Sequence, residues 1–159
     1  MTQQQGTNGE KLIGIIPCVS RRKGLLGTEG FNIVVTDKRM IFAIMTSGMV
    51  QEEAKKEGKG GFLSGMVGAA TAGYTLHKRY LTMPPEAALK ENAQNFSVEL
   101  GSVKKAKVEE GRAKRGTGIA AYEESHVEIA TSSDKWKFTI PHQFVVAAQE
   151  TVRKAGLPK

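Results

Sequence analysis

Residues 31–45, FNIVVTDKRMIFAIM, hold two apolar runs around the polar break Thr36-Asp37-Lys38-Arg39. Each run is rich in Ile, Val and Phe and too short for a typical helix. The pattern predicts a β-hairpin whose strands are buried on one or both faces. Asp37 suits the turn, because its carboxylate can bond nearby backbone. Upstream, residues 12–19 read as a first strand containing Pro17, and residues 21–30, RRKGLLGTEG, as the loop that follows. Strict alternation returns later. Phe96, Val98 and Leu100 alternate with polar neighbours, and residues 103–108 do so more weakly. Val127, Ile129 and Thr131, then Trp136, Phe138 and Ile140, flank the turn Ser132-Ser133-Asp134. One buried face and one wet face is the antiparallel signature.

The chain closes on a predicted helix over residues 142–155. Val145, Ala148, Val152 and Ala155 make one apolar stripe, and Gly156 with Pro158 is a stop signal. Residues 47–92 carry no strand pattern. They predict a short helix at 49–57, capped by Ser47 and braced by Glu52 and Lys56, and another at 84–92, capped by Thr82. The sum is a mainly β chain: seven antiparallel strands forming a barrel or sandwich closed by a C-terminal helix. A helical insertion at about 47–93 separates strands 3 and 4. Residues 1–10 read as a flexible tail and 11–159 as one domain.

The stretch Ile33-Val34-Val35-Thr36-Asp37-Lys38-Arg39-Met40-Ile41-Phe42 is similar to the apolar–Thr–polar–Lys–Arg–apolar–aromatic hairpin of GRAM-like and bacterial PH-like domains. With the strand count and end helix, the chain resembles the pleckstrin-homology-like superfold. The resemblance implies a non-catalytic scaffold that binds lipid headgroups, peptides or protein partners. It also implies that the loop joining the first two strands carries phosphate-binding cations, which here points to Arg21, Arg22 and Lys23 as a ligand site. Arginine suits phosphate because its planar fork donates two parallel bonds.

Net charge is +7, spread in small groups along the chain. A basic balance invites nucleic acid or an anionic membrane surface, although most of these groups read as solvated surface charge; the basic loop is the place for an anionic membrane surface or an acidic protein partner. Lys78 and Arg79 would extend such a footprint. Nucleic acid is the second reading, disfavoured by 6% aromatic content and no stacking platform. The single cysteine, Cys18, lies in an apolar run and predicts a buried, inert thiol in a reducing, cytoplasmic setting, with peripheral membrane contact left open. The start MTQQQGTNGE does not read as a signal peptide.

Catalytic chemistry is not indicated. Asp37 and Asp134 both fall in predicted turns, and His77, His126 and His142 lie in different elements without metal-ligand spacing, so no enzyme, cofactor or metal site is expected. Residues 116–121 match G-x-G-x-x-A, but cations precede them and a strand follows, so they read as a loop. In the glycine-rich stretch 60–77, Gly61, Gly65, Ala69 and Gly73 recur every four residues. If helical, they form a small-residue seam for partner or self-association, against the alternatives of an insertion folded onto the domain and of reversible membrane contact.

Overall fold

The two apolar runs form adjacent antiparallel strands, β2 (Gly27–Thr36) and β3 (Arg39–Met45), paired from Gly30↔Met45 to Val35↔Met40. The structure, a computed structural model, describes residues 9–57, 73–116 and 121–159. Phe31, Ile33, Val35, Met40, Phe42 and Ile44 face the main core, while Val34, Ile41 and Ala43 face a second cluster on the other side of the sheet. Burial on both faces explains why these strands read as continuous apolar runs rather than as alternation.

β1 (Leu12–Lys23) pairs with β2 and carries a bulge between Ile16 and Val19, where Pro17 and Cys18 fall. Proline has no N–H for a ladder, and a bulge removes the need for one. Cys18 takes φ 56°, and its N–H donates to Asn32 Oδ1 at 2.9 Å, so the buried amide of β2 holds the kink. Past the bulge the register resumes at Val19↔Phe31 and runs to Lys23↔Gly27.

The remaining strands are β4 (Phe96–Glu99), β5 (Lys105–Glu109), β6 (Ala113–Lys114), β7 (Ala121–Tyr122), β8 (Ser125–Ala130) and β9 (Lys135–Ile140). Seven form one antiparallel sheet in the order β4-β3-β2-β1-β9-β8-β5, and β6 pairs with β7 in a separate hairpin. All seven predicted strands are present. The short β6–β7 hairpin was not foreseen in the polar stretch 109–125.

The sheet does not close into a barrel, which corrects the closed-barrel expectation. Its edges, β4 and β5, are consecutive in the chain and joined by the 3-10 turn Leu100–Ser102. Leu100 N donates to Lys38 O beside β3, and Lys104 N donates to Ala130 O beside β8. The connection is therefore bonded outward at both ends, and no ladder joins the two edges. Phe96, Leu100 and Val103 pack against the core there instead. Phe42 stacks on Phe96 at 4.5 Å between centroids, and Phe31, Trp136 and Phe138 surround them.

α1 (Ser47–Glu57) begins one residue earlier than the Ser47 cap allows. Thr46 is the cap, its Oγ1 accepting from Met49 N at 3.2 Å. Glu52 and Lys56 meet at 3.9 Å on its exposed surface. The second predicted helix is shorter, α2 (Pro85–Lys90), with Pro84 rather than Thr82 at its N-cap. Thr82 belongs to the preceding 3-10 turn, Leu76–Leu81. Tyr80 from that turn and Ala88 from α2 bury against Ile15, Val34, Ile41 and Ala43. Asn95 then staples the insertion to β3, its amide donating to Ala88 O and its Oδ1 accepting from Ile44 N, both at 2.8 Å. The 3-10 turn and α2 of the insertion thus lie folded on the outer face of the sheet.

The C-terminal helix begins as a 3-10 turn, His142–Phe144, and continues as α3 (Val145–Lys154). Val145, Ala148 and Val152 pack into the core, as the stripe predicts, and Gly156 takes φ +64° at the stop. Gly14 of β1 is required here. A Cβ at that position would come within 2.5 Å of Thr151 Oγ1.

Just before the start of β1, Glu10 is buried although the sequence pattern assigns it to the tail. It accepts from Arg39 Nε at 3.0 Å, from Arg39 Nη2 at 3.1 Å and from the Thr36 hydroxyl at 2.6 Å, while Arg39 also reaches Glu86 of α2 at 2.9 Å. Arg39, placed by sequence in a simple polar break, joins the N-terminal segment, the hairpin and the insertion.

Candidate functional site

Arg21, Arg22 and Lys23 do not lie in a loop, as the sequence pattern predicts, but in the last three rungs of β1. They pair with β2 as Arg21↔Glu29, Arg22↔Thr28 and Lys23↔Gly27. Directly opposite partners share a face of the ladder, so Glu29 sits across from Arg21 and diagonal to Lys23. Arg21 bonds Glu29 at 2.5 Å, and Lys23 reaches it at 3.5 Å. The Arg21 guanidinium also lies over the Phe31 ring, 5.4 Å from its centroid, and near Phe138 at 6.0 Å. This pairing is why the strand continues past Ser20. Arg21 is held structurally, Lys23 is half neutralised, and Arg22, on the other face, meets no carboxylate among the described residues.

The flanking ladders stop earlier. β3 reaches only the Gly30↔Met45 pair, and β9 pairs with β1 only at Ser20↔Thr139, running on from there beside β8. Over the last three rungs, about 10 Å at roughly 3.4 Å per residue, β1 and β2 pair only with each other. Gly24, Leu25 and Leu26 turn the chain at its tip, with Gly24 at φ +65°. Gly27 is required, since a Cβ there would lie 2.7 Å from Lys23 O. Leu25 is 100% and Leu26 102% exposed. The tip thus offers two adjacent, fully solvated leucines directly above three cations and one carboxylate.

Sequence reasoning missed the leucines. The signal was present in Gly24-Leu25-Leu26-Gly27, where glycines on both sides leave the pair no room to fold back on a core.

Lys78 and Arg79 sit elsewhere. They lie in the 3-10 turn packed on the outer face near Ile15, eight residues along β1 from Lys23. Lys78 is exposed, whereas Arg79 is tied to Glu91 at 2.6 Å, and Tyr80 donates to the same carboxylate at 2.6 Å. They do not join the ribbon cations in one site. Gly61, Gly65 and Ala69 lie outside the described residues. Gly73 is described: its carbonyl accepts from Cys18 Sγ at 3.2 Å, and a Cβ there would meet nothing within 4 Å.

The titratable groups are dispersed. Asp37 lies in the β2–β3 turn, but its Oδ1 accepts from Lys11 N at 2.9 Å while Thr36 Oγ1 accepts from the turn amides of Lys38 and Arg39; Asp134 lies in the β8–β9 turn beside Ser133. His77 packs on Phe144, and burial lowers its pKa. His142 stacks on Tyr122, 3.6 Å between centroids, and faces Glu110 rather than His126. Among the described residues no group of three His, Cys, Asp or Glu side chains gathers to hold a metal ion. Cys18 is buried, and burial pushes its thiol up to about 12. Among the described residues no helix is long and apolar enough to cross a membrane.

No family model, no curated protein and no solved structure matches this chain.

Proposed function

We propose that the chain is a non-enzymatic, pleckstrin-homology-like binding module that docks on an anionic membrane surface through the β1–β2 ribbon. Support for the superfold comes from the seven antiparallel strands, β1 to β4 as one meander and β5, β8 and β9 as another joined to it through β1 and β9, and from the C-terminal helix packed on them. The observation that carries the membrane reading is the fully exposed pair Leu25-Leu26 at the end of a cationic ribbon. An acidic protein would satisfy the cations but leaves the leucines unexplained. A bilayer satisfies both, because its headgroups are anionic and its interior is apolar. Each rung adds about 3.4 Å, so Arg22 and Lys23 stay at headgroup level while the tip reaches the acyl boundary. Nearby cations contribute about 1 kcal/mol each to such attraction, screened by salt.

Sedimentation with phosphatidylcholine vesicles, with and without phosphatidylserine, tests this directly. The intact chain pellets with the serine-containing vesicles and releases as salt rises. Arg22→Glu with Lys23→Glu weakens binding by about tenfold or more, the effect of losing two favourable charges. Equal binding to both vesicle types, or no loss on charge reversal, contradicts the electrostatic part. Retention on an acidic protein matrix without vesicle binding transfers the site to a protein partner.

A further inference from the structure

A second surface lies at the far edge of the sheet, between β5 and α3. It is an open groove of about 790 Å³, floored by Ala106, Val108, Val152 and Leu157. β5 is an edge strand, with no strand neighbour on its outer side among the described residues. In an antiparallel ladder, the N–H and C=O of one residue point to the same side, and successive residues alternate. Ala106 bonds away from β8, to Pro158, so by this alternation Val108 points outward too and Lys107 toward β8. The outward position at Ala106 is already used: its N–H donates to Pro158 O at 2.6 Å. The chain's own extended residues past Gly156 thus lie against the edge as a strand would. The next outward position is Val108, which makes no backbone bond outside the β5–β8 ladder among the described residues. Val146, on the helix wall beside it, is 70% exposed.

We infer that this groove binds an extended, acidic peptide segment of a partner protein, which adds to the β5 edge at Val108 beside the chain's own Pro158. An open edge supplies main-chain bonds, and pockets for alternate side chains supply selectivity. Alternate residues of the segment face Val108 and Val146, so they are apolar. The others face the groove rim, lined by Lys105, Lys107, Arg153, Lys159 and Glu150. Lys105 is paired with Glu128, Lys107 with Glu109 and Glu150 with Lys154, while Arg153 and Lys159 have no carboxylate partner among the described residues. Those two cations select carboxylates on the segment.

The groove and the ribbon can be used together. α3 packs on β1 near Gly14, where Thr151 donates to Ile15 O, and Lys23 lies nine residues further along the strand. The contour between them is roughly 30 Å at 3.3 Å per residue. A module held at a bilayer by its tip leaves the groove free to recruit a protein segment.

The test is an amide NMR titration of the full chain with a short synthetic peptide alternating valine and glutamate. A peptide alternating valine and lysine is the control. Shifts at Lys107, Val108, Val146 and Arg153 that saturate with the glutamate peptide alone are the expected result. Arg153→Glu with Lys159→Glu, both on exposed positions, weakens that binding by roughly tenfold, the scale of two reversed rim charges. Val108→Pro removes the outward N–H without touching the bonds to β8 and abolishes the shifts. If Val108→Pro unfolds the chain, the charge variant decides. No saturable shift, equal response to both peptides, or shifts centred on residues 21–29 overturns the assignment.

Discussion

Replacing Arg39 with methionine lowers the stability of the fold by about 3–5 kcal/mol, because it strands a buried carboxylate. Methionine keeps most of the arginine stem, so packing changes little and the loss is electrostatic. Glu10 is 6% exposed and takes two bonds from Arg39. Without the guanidinium, it keeps only the Thr36 hydroxyl. Glu86 is less affected because its side chain is 42% exposed and can hydrate. Adding Glu10→Gln to Arg39→Met restores part of the loss, since no unpaired charge then remains buried. Urea unfolding of the two variants measures this. A loss below about 1 kcal/mol for Arg39→Met, typical of an exposed pair, would remove Arg39 as the tie between the N-terminal segment, hairpin and insertion.

Leu25→Ser with Leu26→Ser is expected to leave stability within about 0.5 kcal/mol, because neither side chain is packed. The same change weakens binding to phosphatidylserine vesicles by about tenfold to a hundredfold. Full burial of a leucine is worth about 1.5–3 kcal/mol, and partial immersion of two leucines yields about half their combined value. Salt separates this loss from that of Arg22→Glu with Lys23→Glu. The leucine variant binds more weakly at every ionic strength with its salt dependence intact. The charge variant loses the salt dependence itself. Vesicle titrations at several salt concentrations read both. Unchanged affinity for the leucine variant would mean that the tip stays in water and only the cations engage.

The strands were legible in the sequence because their burial has a simple period. Residues 96–100, 127–131 and 135–140 alternate, and each became a strand with one face inside. The unbroken run at 31–45 pointed to two-sided burial, but nothing in its pattern said what covers the outer face. Tyr80 and Ala88 do so from a 3-10 turn and a six-residue helix, both too short to show a periodicity. The open edge between β4 and β5 was not legible, because it depends on where the backbone of the Leu100–Ser102 turn finds its bonds.

The candidate site was legible in part. Arg21, Arg22 and Lys23 stand out as adjacent cations. Their place in a ladder depends on a register set by the bulge at Pro17 and Cys18, which brings Glu29 opposite Arg21. A shift of one residue would put that carboxylate on the other face and release Arg21. Leu25 and Leu26 were passed over for a related reason. A leucine pair reads as core until the ladder is seen to end at Lys23↔Gly27, beyond the last pairs that β3 and β9 make with it.

The most direct test of membrane docking is the polarity around the tip itself. Leu25→Cys provides a label site, and the buried Cys18, its thiol held near 12, stays unlabelled at neutral pH. With a polarity-sensitive fluorophore at position 25, phosphatidylserine-containing vesicles should shift the emission to the blue. The shift should be quenched by lipids carrying a quencher at shallow acyl depth. Emission unchanged from that in water, on vesicles that demonstrably carry the protein, would contradict insertion of the ribbon tip.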